Sequence, residues 1–138
     1  MENRELVMEA VKARKQAYCP YSGFAVGAAL LCVDDRVFTG CNIENAAYPA
    51  TNCAERTAIF KAVSEGKTEF LAIAIVGAPK GKEPENFCAP CGVCRQVMAE
   101  FCDPETFRII LMNGAGEIRE YLLKELLPLG FTGKALEI

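Results

Sequence analysis

Four cysteines and one glutamate could do chemistry in this chain. Cys53 and Glu55 stand two residues apart in TNCAERTA, residues 51–58, and Cys91 and Cys94 form a Cys-x-x-Cys within PCGVC, residues 90–94. Two thiolates at that spacing can share one tetrahedral zinc ion. Both stretches read as helix starts, where the backbone dipole and free N–H groups favour thiolate over thiol. Cys53 supplies a third ligand if the two helices lie side by side. The fourth position decides what such a site can do. Cys88 extends the local run to Cys-x-x-Cys-x-x-Cys, so a closed four-thiolate structural zinc is one reading and an iron–sulfur cluster is another. Two features favour an open, hydrolytic site. Cys88 precedes Pro90 and is expected in the incoming loop, pointing away from the helix tips. A structural site has no use for a carboxylate at Glu55, whereas a hydrolytic one needs a general base. Asn52-Cys53-Ala54-Glu55 also has the pattern of a capping box, with Asn52 as N-cap and Glu55 three positions on.

The remaining elements must bring these groups together. Residues 3–17 read as an amphipathic helix with Leu6, Val7, Ala10, Val11 and Ala17 on one side, stopped by Pro20. Residues 24–33 and 36–44 read as two strands joined through a short Asp34-Asp35 turn, which requires an antiparallel hairpin. A helix is expected from Cys53 to Glu65, closed by Gly66. FLAIAIVGA, 70–78, is an almost wholly apolar run of the kind found in a central strand covered on both faces. Pro90 suits a first helical position, with Val93, Val97, Met98 and Phe101 as the buried stripe behind it. A strand at 107–113, a tight turn at NGAGE, a strand at IREY and a helical turn or two at 122–127 complete the chain. The order α-β-β-α-β-α-β-β-α predicts a three-layer α/β/α sandwich around a mixed sheet of about five strands, in one domain over residues 1–138.

Composition narrows the function classes. The chain has 138 residues, of which 51% are hydrophobic and 24% charged, an ordinary globular balance. With a net charge of −3 and scattered basic residues, it lacks the clustered Lys and Arg of a nucleic-acid surface. No apolar run approaches a membrane span, and the charged, amphipathic start MENRELVMEA is unlike a signal peptide, so a cytoplasmic protein is expected. Eight cysteines without an export signal read as reduced thiols rather than a disulfide scaffold. Cys19, Cys32, Cys41 and Cys102, isolated among apolar neighbours, read as packing residues. The absence of histidine excludes histidine triads and histidine-ligated metal sites.

Cys-x-Glu followed by Pro-Cys-x-x-Cys resembles the nucleobase deaminase signature, with cysteine in place of the first-ligand histidine. YCPYSGFAVGAALL, FTGCNIENAAYPATNCAERTAIFKAVSEG, APCGVCRQVMAEF and LLPLGF extend the resemblance over nearly the whole chain. All are similar to the small homotetrameric, three-cysteine cytidine deaminases. The resemblance implies that Cys53, Cys91 and Cys94 hold one Zn2+ per subunit and that Glu55 moves protons in the hydrolysis of cytidine and 2′-deoxycytidine, in pyrimidine salvage. It implies that Arg56 hydrogen-bonds to ligand sulfurs and draws negative charge off the metal. It further implies that Phe24 packs against the base, that Asn42 and Glu44 bind the ribose 3′-hydroxyl, and that Ala54 offers backbone contacts to the cytosine edge. Tyr48 and Phe131 match aromatic residues donated by a neighbouring subunit, so the tetramer would complete each active site. Arg95 and Gln96 are expected to support the second helix without direct chemistry. The partners implied are a nucleoside and further copies of the chain, with neither nucleic acid nor membrane.

Overall fold

The apolar periods of the sequence become alternating helices and strands. The computed structural model describes residues 1–136, so the last two residues of the expected 1–138 unit lie outside the described residues. The elements are α1 (Asn3–Arg14), β1 (Phe24–Cys32), β2 (Val37–Cys41), a 3-10 turn at Tyr48–Ala50, α2 (Ala54–Ser64), β3 (Phe70–Pro79), α3 (Gly92–Phe101), β4 (Arg108–Met112), β5 (Ile118–Leu122), α4 (Leu123–Leu126) and α5 (Gly133–Leu136). The strands form one sheet in the order β2-β1-β3-β4-β5. β3 and β4 pair in parallel, and every other neighbouring pair is antiparallel. This is the mixed five-stranded sheet that the element order predicts.

Strand alternation sorts the core into two layers. Ala28, Leu30, Ile73, Ile75, Ile109 and Leu111 face α2 and α3, whereas Ala29, Leu31, Ala72, Ala74, Val76 and Ile110 face α1. On the α1 face, Leu6, Val7 and Ala10 are buried against the sheet. Topology then fixes where the two chemical helices begin. β2 and β3 each pair antiparallel with β1, so they run in the same direction. α2 follows β2 and α3 follows β3, so both helices start at the same end of the sheet, on the same face. Gly40 in β2 lets α2 come close: a Cβ there would lie 2.5 Å from the Ala54 carbonyl oxygen and 2.6 Å from the Ala58 nitrogen.

Several boundaries differ from the sequence expectation for local reasons. α1 ends at Arg14 rather than at 17 because the Arg14 guanidinium turns onto the sheet and donates to the carbonyls of Ala25, Ala78, Pro79 and Lys82 at 2.8–3.1 Å. β2 stops at Cys41 because the Asn42 side chain takes over the ladder. Its Oδ1 accepts from Val26 N–H at 2.9 Å, which leaves the Asn42 carbonyl free to accept from Tyr18 N–H. The β1–β2 connection, residues 33–36, is two residues longer than an Asp34-Asp35 turn: Asp35 N–H donates to Cys32 O, and Asp35 itself takes φ 70°, a conformation that aspartate tolerates better than most residues.

Candidate active site

The first turn of α2 carries most of the site. Its N-cap is Cys53, in extended backbone (φ −75°, ψ 157°) and without a side-chain cap bond, so the capping box centred on Asn52 is not formed. Asn52 Nδ2 instead donates to Thr57 Oγ1 at 3.1 Å, and the Cys53 carbonyl accepts from both the Thr57 N–H and its hydroxyl. Glu55 is thereby free of a capping role. α3 repeats the arrangement, with Cys91 as its N-cap (φ −69°, ψ 168°) and Gly92 as its first helical residue. Pro90 lies one position before the cap, not at the first helical position. Val93 is exposed rather than part of the buried stripe, since Cys94 and Met98 supply that face.

The Cys53, Cys91 and Cys94 sulfurs all lie within 4.8 Å of one another, with 3.8 Å between Cys53 and Cys91 and 3.5 Å between Cys91 and Cys94. Zinc–sulfur bonds of about 2.3 Å in a tetrahedron separate sulfurs by about 3.8 Å, so the trio fits a zinc ion with little adjustment. Cys94 is fully buried, Cys53 half-buried and Cys91 exposed, so the cluster opens on the Cys91 side. Sharing a hydrogen with Cys94 lowers the Cys53 thiol to about 5 against the effect of burial, helped by Arg56, and the same shared hydrogen together with burial drives Cys94 upward. Arg56 Nη2 lies 3.3 Å from Cys53 Sγ, and the Arg56 Nε is buried without a partner. Burial works against the Arg56 charge, yet Cys53 and Cys94 hold it protonated.

Glu55 is 4% exposed, and none of the ion pairs among the described residues includes it. Burial, then the charge of Cys53, pushes its carboxyl from 4.5 up to about 7, although its own backbone N–H and Cys94 pull it down. A carboxyl poised there can both accept and return a proton near neutral pH. Cys88 is outside the sulfur trio, as its place before Pro90 implies, but it does not turn away from the site. It packs on the same core, and burial followed by the charges of Glu55 and Cys53 raises its thiol to about 11.

Phe24, Asn42 and Glu44 are joined in one hydrogen-bonded group. Asn42 Nδ2 donates to Phe24 O at 2.8 Å. Glu44 Oε1 accepts from the Tyr21 and Ser22 N–H groups at 2.9 and 3.1 Å, its Oε2 accepts from the Ser22 hydroxyl, and Ser22 Oγ in turn accepts from Phe24 N–H. A carboxylate offers about four acceptor positions, so Glu44 retains capacity for a ligand hydroxyl. Ala54 is fully buried at the first helical position, where its backbone can act but its side chain cannot. Tyr48 and Phe131 are not drawn into the centre: they project from the surface at 86% and 60% exposure. Gln96 Nε2 fixes the Phe131 carbonyl, and Arg95 donates to Pro90 O and Leu126 O, which steadies the approach to α3. Sequence reasoning missed Ser22, Arg14 and Gly40. Of these only Gly40 carried a signal, a glycine inside a strand where another backbone approaches closely.

An open trio of cysteine sulfurs at two helix tips, with a buried carboxyl alongside, is equipment for zinc-assisted hydrolysis at a nucleobase amine. Residues 1–110 match the family described as the cytidine and deoxycytidylate deaminase zinc-binding region, and the chain belongs to that family. It is 52% identical to a cytidine deaminase of Halalkalibacterium halodurans, covering 97% of each chain. It is 50% identical to one of Sporosarcina psychrophila, covering 99% of this chain and 96% of that one. Its fold superimposes on the crystal structure of cytidine deaminase from Burkholderia pseudomallei with a TM-score of 0.86 at 48% identity, covering 95% of this chain and all of that one.

Proposed function

We propose that this protein hydrolyses cytidine and 2′-deoxycytidine to uridine and 2′-deoxyuridine with release of ammonia, as one domain using one zinc ion per subunit. The observation that carries this reading is the meeting of the three sulfurs, at zinc-ligand spacing, with a buried Glu55 in the same helical turn. Zinc bound by Cys53, Cys91 and Cys94 would supply the Lewis acidity that makes hydroxide available near neutral pH. Three thiolates alone would leave the centre negative and oppose that ionisation. The Arg56 guanidinium and the two helix N-termini offset the charge.

Glu55 does the proton work. It takes a proton from the attacking water as oxygen bonds to C4 and delivers it to N3. It then takes the proton of the new C4 hydroxyl and passes it to the exocyclic nitrogen as the C4–N bond breaks, so that ammonia leaves and the carbonyl of uracil forms. Burial of this carboxyl favours its taking up the proton that it must then return. Phe24 would pack against the pyrimidine, Asn42 and Glu44 would hold the ribose 3′-hydroxyl with the acceptor and donor capacity they retain, and the Ala54 backbone would meet the cytosine edge.

Tyr48 and Phe131 have the exposure expected of residues that complete a neighbouring subunit's site in a homotetramer. The eight free cysteines suit a reducing cytoplasm, where nucleoside salvage takes place. No helix among the described residues is long and apolar enough to cross a membrane. The test is product analysis on zinc-loaded protein given cytidine, 2′-deoxycytidine and the corresponding 5′-monophosphate. Uridine or deoxyuridine with one equivalent of ammonia from the nucleosides supports the reading. Turnover of the nucleotide alone, or of none of the three, defeats it.

A further inference from the structure

A glycine in the middle of a buried strand marks a place where another group occupies the volume of its missing side chain. Gly77, paired with Val26 in the β1–β3 ladder, is such a position. A Cβ built on it would lie 2.8 Å from Cys88 Sγ, 3.2 Å from Cys88 Cβ and 2.9 Å from Phe24 Cε2. Cys88 and the Phe24 ring therefore meet over the same bare stretch of backbone. With Lys82, Asn86 and Phe87 they border a cavity of about 390 Å³, and the Phe24 ring stands at its rim, 39% exposed.

Both partners in this contact are anchored. The segment that carries Cys88 is held by Arg14 Nη2 to Lys82 O at 2.8 Å, by Gly114 N–H to Glu85 O at 3.1 Å, and by the Arg119 guanidinium 4.2 Å from the Phe87 ring centroid. Phe24 is held through its N–H to Ser22 Oγ and its carbonyl to Asn42 Nδ2.

We propose that Gly77 and Cys88 are positioning residues for the deamination: they form the seat that fixes the Phe24 ring, and so set the width of the slot the pyrimidine enters. The inference rests on Phe24 being the residue that packs against the base. Ordinary contact begins near 3.4 Å, so a methyl at position 77 must drive the Phe24 ring or the Cys88 sulfur away by about half an ångström. The backbone on either side is tethered, so the displacement falls on the ring and the sulfur and changes the width of the slot. Phe24 would touch the base in the ground state and in the transition state alike, so the cost falls on KM rather than kcat.

The experiment measures KM and kcat for cytidine in zinc-loaded Gly77→Ala, Cys88→Ala, the Gly77→Ala/Cys88→Ala double variant, Phe24→Leu, and Gly77→Ala combined with Phe24→Leu, with zinc content per chain recorded for each. Gly77→Ala is expected to raise KM roughly tenfold while kcat stays within about twofold. Adding Cys88→Ala removes the sulfur that the new methyl meets at 2.8 Å but leaves the 2.9 Å contact with the ring, and so recovers part of that loss. Phe24→Leu raises KM by itself and abolishes any further effect of Gly77→Ala. Should Gly77→Ala not accumulate, Cys88→Leu crowds the same seat and carries the same expectation. The proposal is overturned if Phe24→Leu raises KM but crowding the seat does not, if crowding lowers kcat alone, or if Cys88→Ala restores nothing. A Phe24→Leu protein with unchanged KM refutes the base-packing reading of Phe24 instead.

Discussion

Gly40→Ala perturbs the candidate site without replacing any residue in it. The added Cβ would lie 2.5 Å from the Ala54 carbonyl oxygen, 2.6 Å from the Ala58 nitrogen and 3.0 Å from Thr57 Cβ. All three belong to the start of α2, the part that carries Cys53, Glu55 and Arg56. Restoring ordinary contact at 3.4 Å requires about 0.9 Å of movement of the Ala54 carbonyl. Backbone obstacles cannot swing aside as a side-chain end can, so the first turn must shift as a unit. Overpacking of this kind costs about 1–3 kcal/mol of stability, and displacing aligned catalytic groups by about 1 Å costs on the order of a hundredfold in rate. Gly66→Ala is the matched control. Gly66 sits past the far end of α2 at φ 88° with no other atom within 4 Å, so alanine there loses about 1–2 kcal/mol of backbone conformational energy and leaves the first turn in place. Denaturant midpoints and steady-state deamination per zinc-bound chain read both effects. Gly40→Ala should lose roughly a hundredfold in kcat/KM where Gly66→Ala loses almost none. Equal kinetics in the two variants, at comparable stability loss, would refute the claim that Gly40 sets the position of the catalytic turn.

Two further outcomes follow from the electrostatics. Burial raises the Glu55 carboxyl from 4.5 to about 7, so in metal-free protein its contribution to stability is intact below pH 4.5 and is lost as pH rises through 7; Glu55→Gln, which has no charge to bury, should therefore be more stable than the parent by about 3 kcal/mol at pH 8 and indistinguishable from it at pH 4 in urea titrations, and a constant difference across that range would contradict the burial of this carboxyl. Arg56→Ala removes the cation beside Cys53 and should weaken zinc retention by roughly ten- to a hundredfold in competition with a chelator, with unchanged retention and turnover defeating that role.

The layers of the fold were legible because each depends on a local period. Leu6, Val7 and Ala10 recur at helical spacing, and the unbroken apolar run of β3 marks a strand covered on both faces without knowledge of its partner strands. The sulfur trio was legible for the same reason: Cys-x-x-Cys is a local pattern, and the reading of both cysteine clusters as helix starts left one geometric condition, that the two tips coincide. What local patterns could not supply was the identity of long-range partners. Asn52 resembles a better N-cap than Cys53 by side-chain chemistry, but its amide is drawn to Thr57. β2 ends early because Asn42 bonds the backbone of β1, sixteen and eighteen residues back along the chain. Val93 falls on the apolar stripe by spacing, yet the sheet takes Cys94 and Met98 instead. Gly40 and Gly77 announce a close approach without saying what approaches, and the answers, α2 in one case and Cys88 with Phe24 in the other, require the assembled layers.

The central claim is that Cys53, Cys91 and Cys94 hold zinc while Glu55 moves the protons of a cytidine hydrolysis. Its most direct test is the ultraviolet absorbance of cytidine after addition of zinc-loaded protein, with Glu55→Gln of equal zinc content run in parallel. The account predicts loss of the cytosine band with the parent protein and a rate lower by at least about a hundredfold with Glu55→Gln. A Glu55→Gln protein that consumes cytidine at the parental rate, or a zinc-loaded parent that leaves the band unchanged, would contradict it.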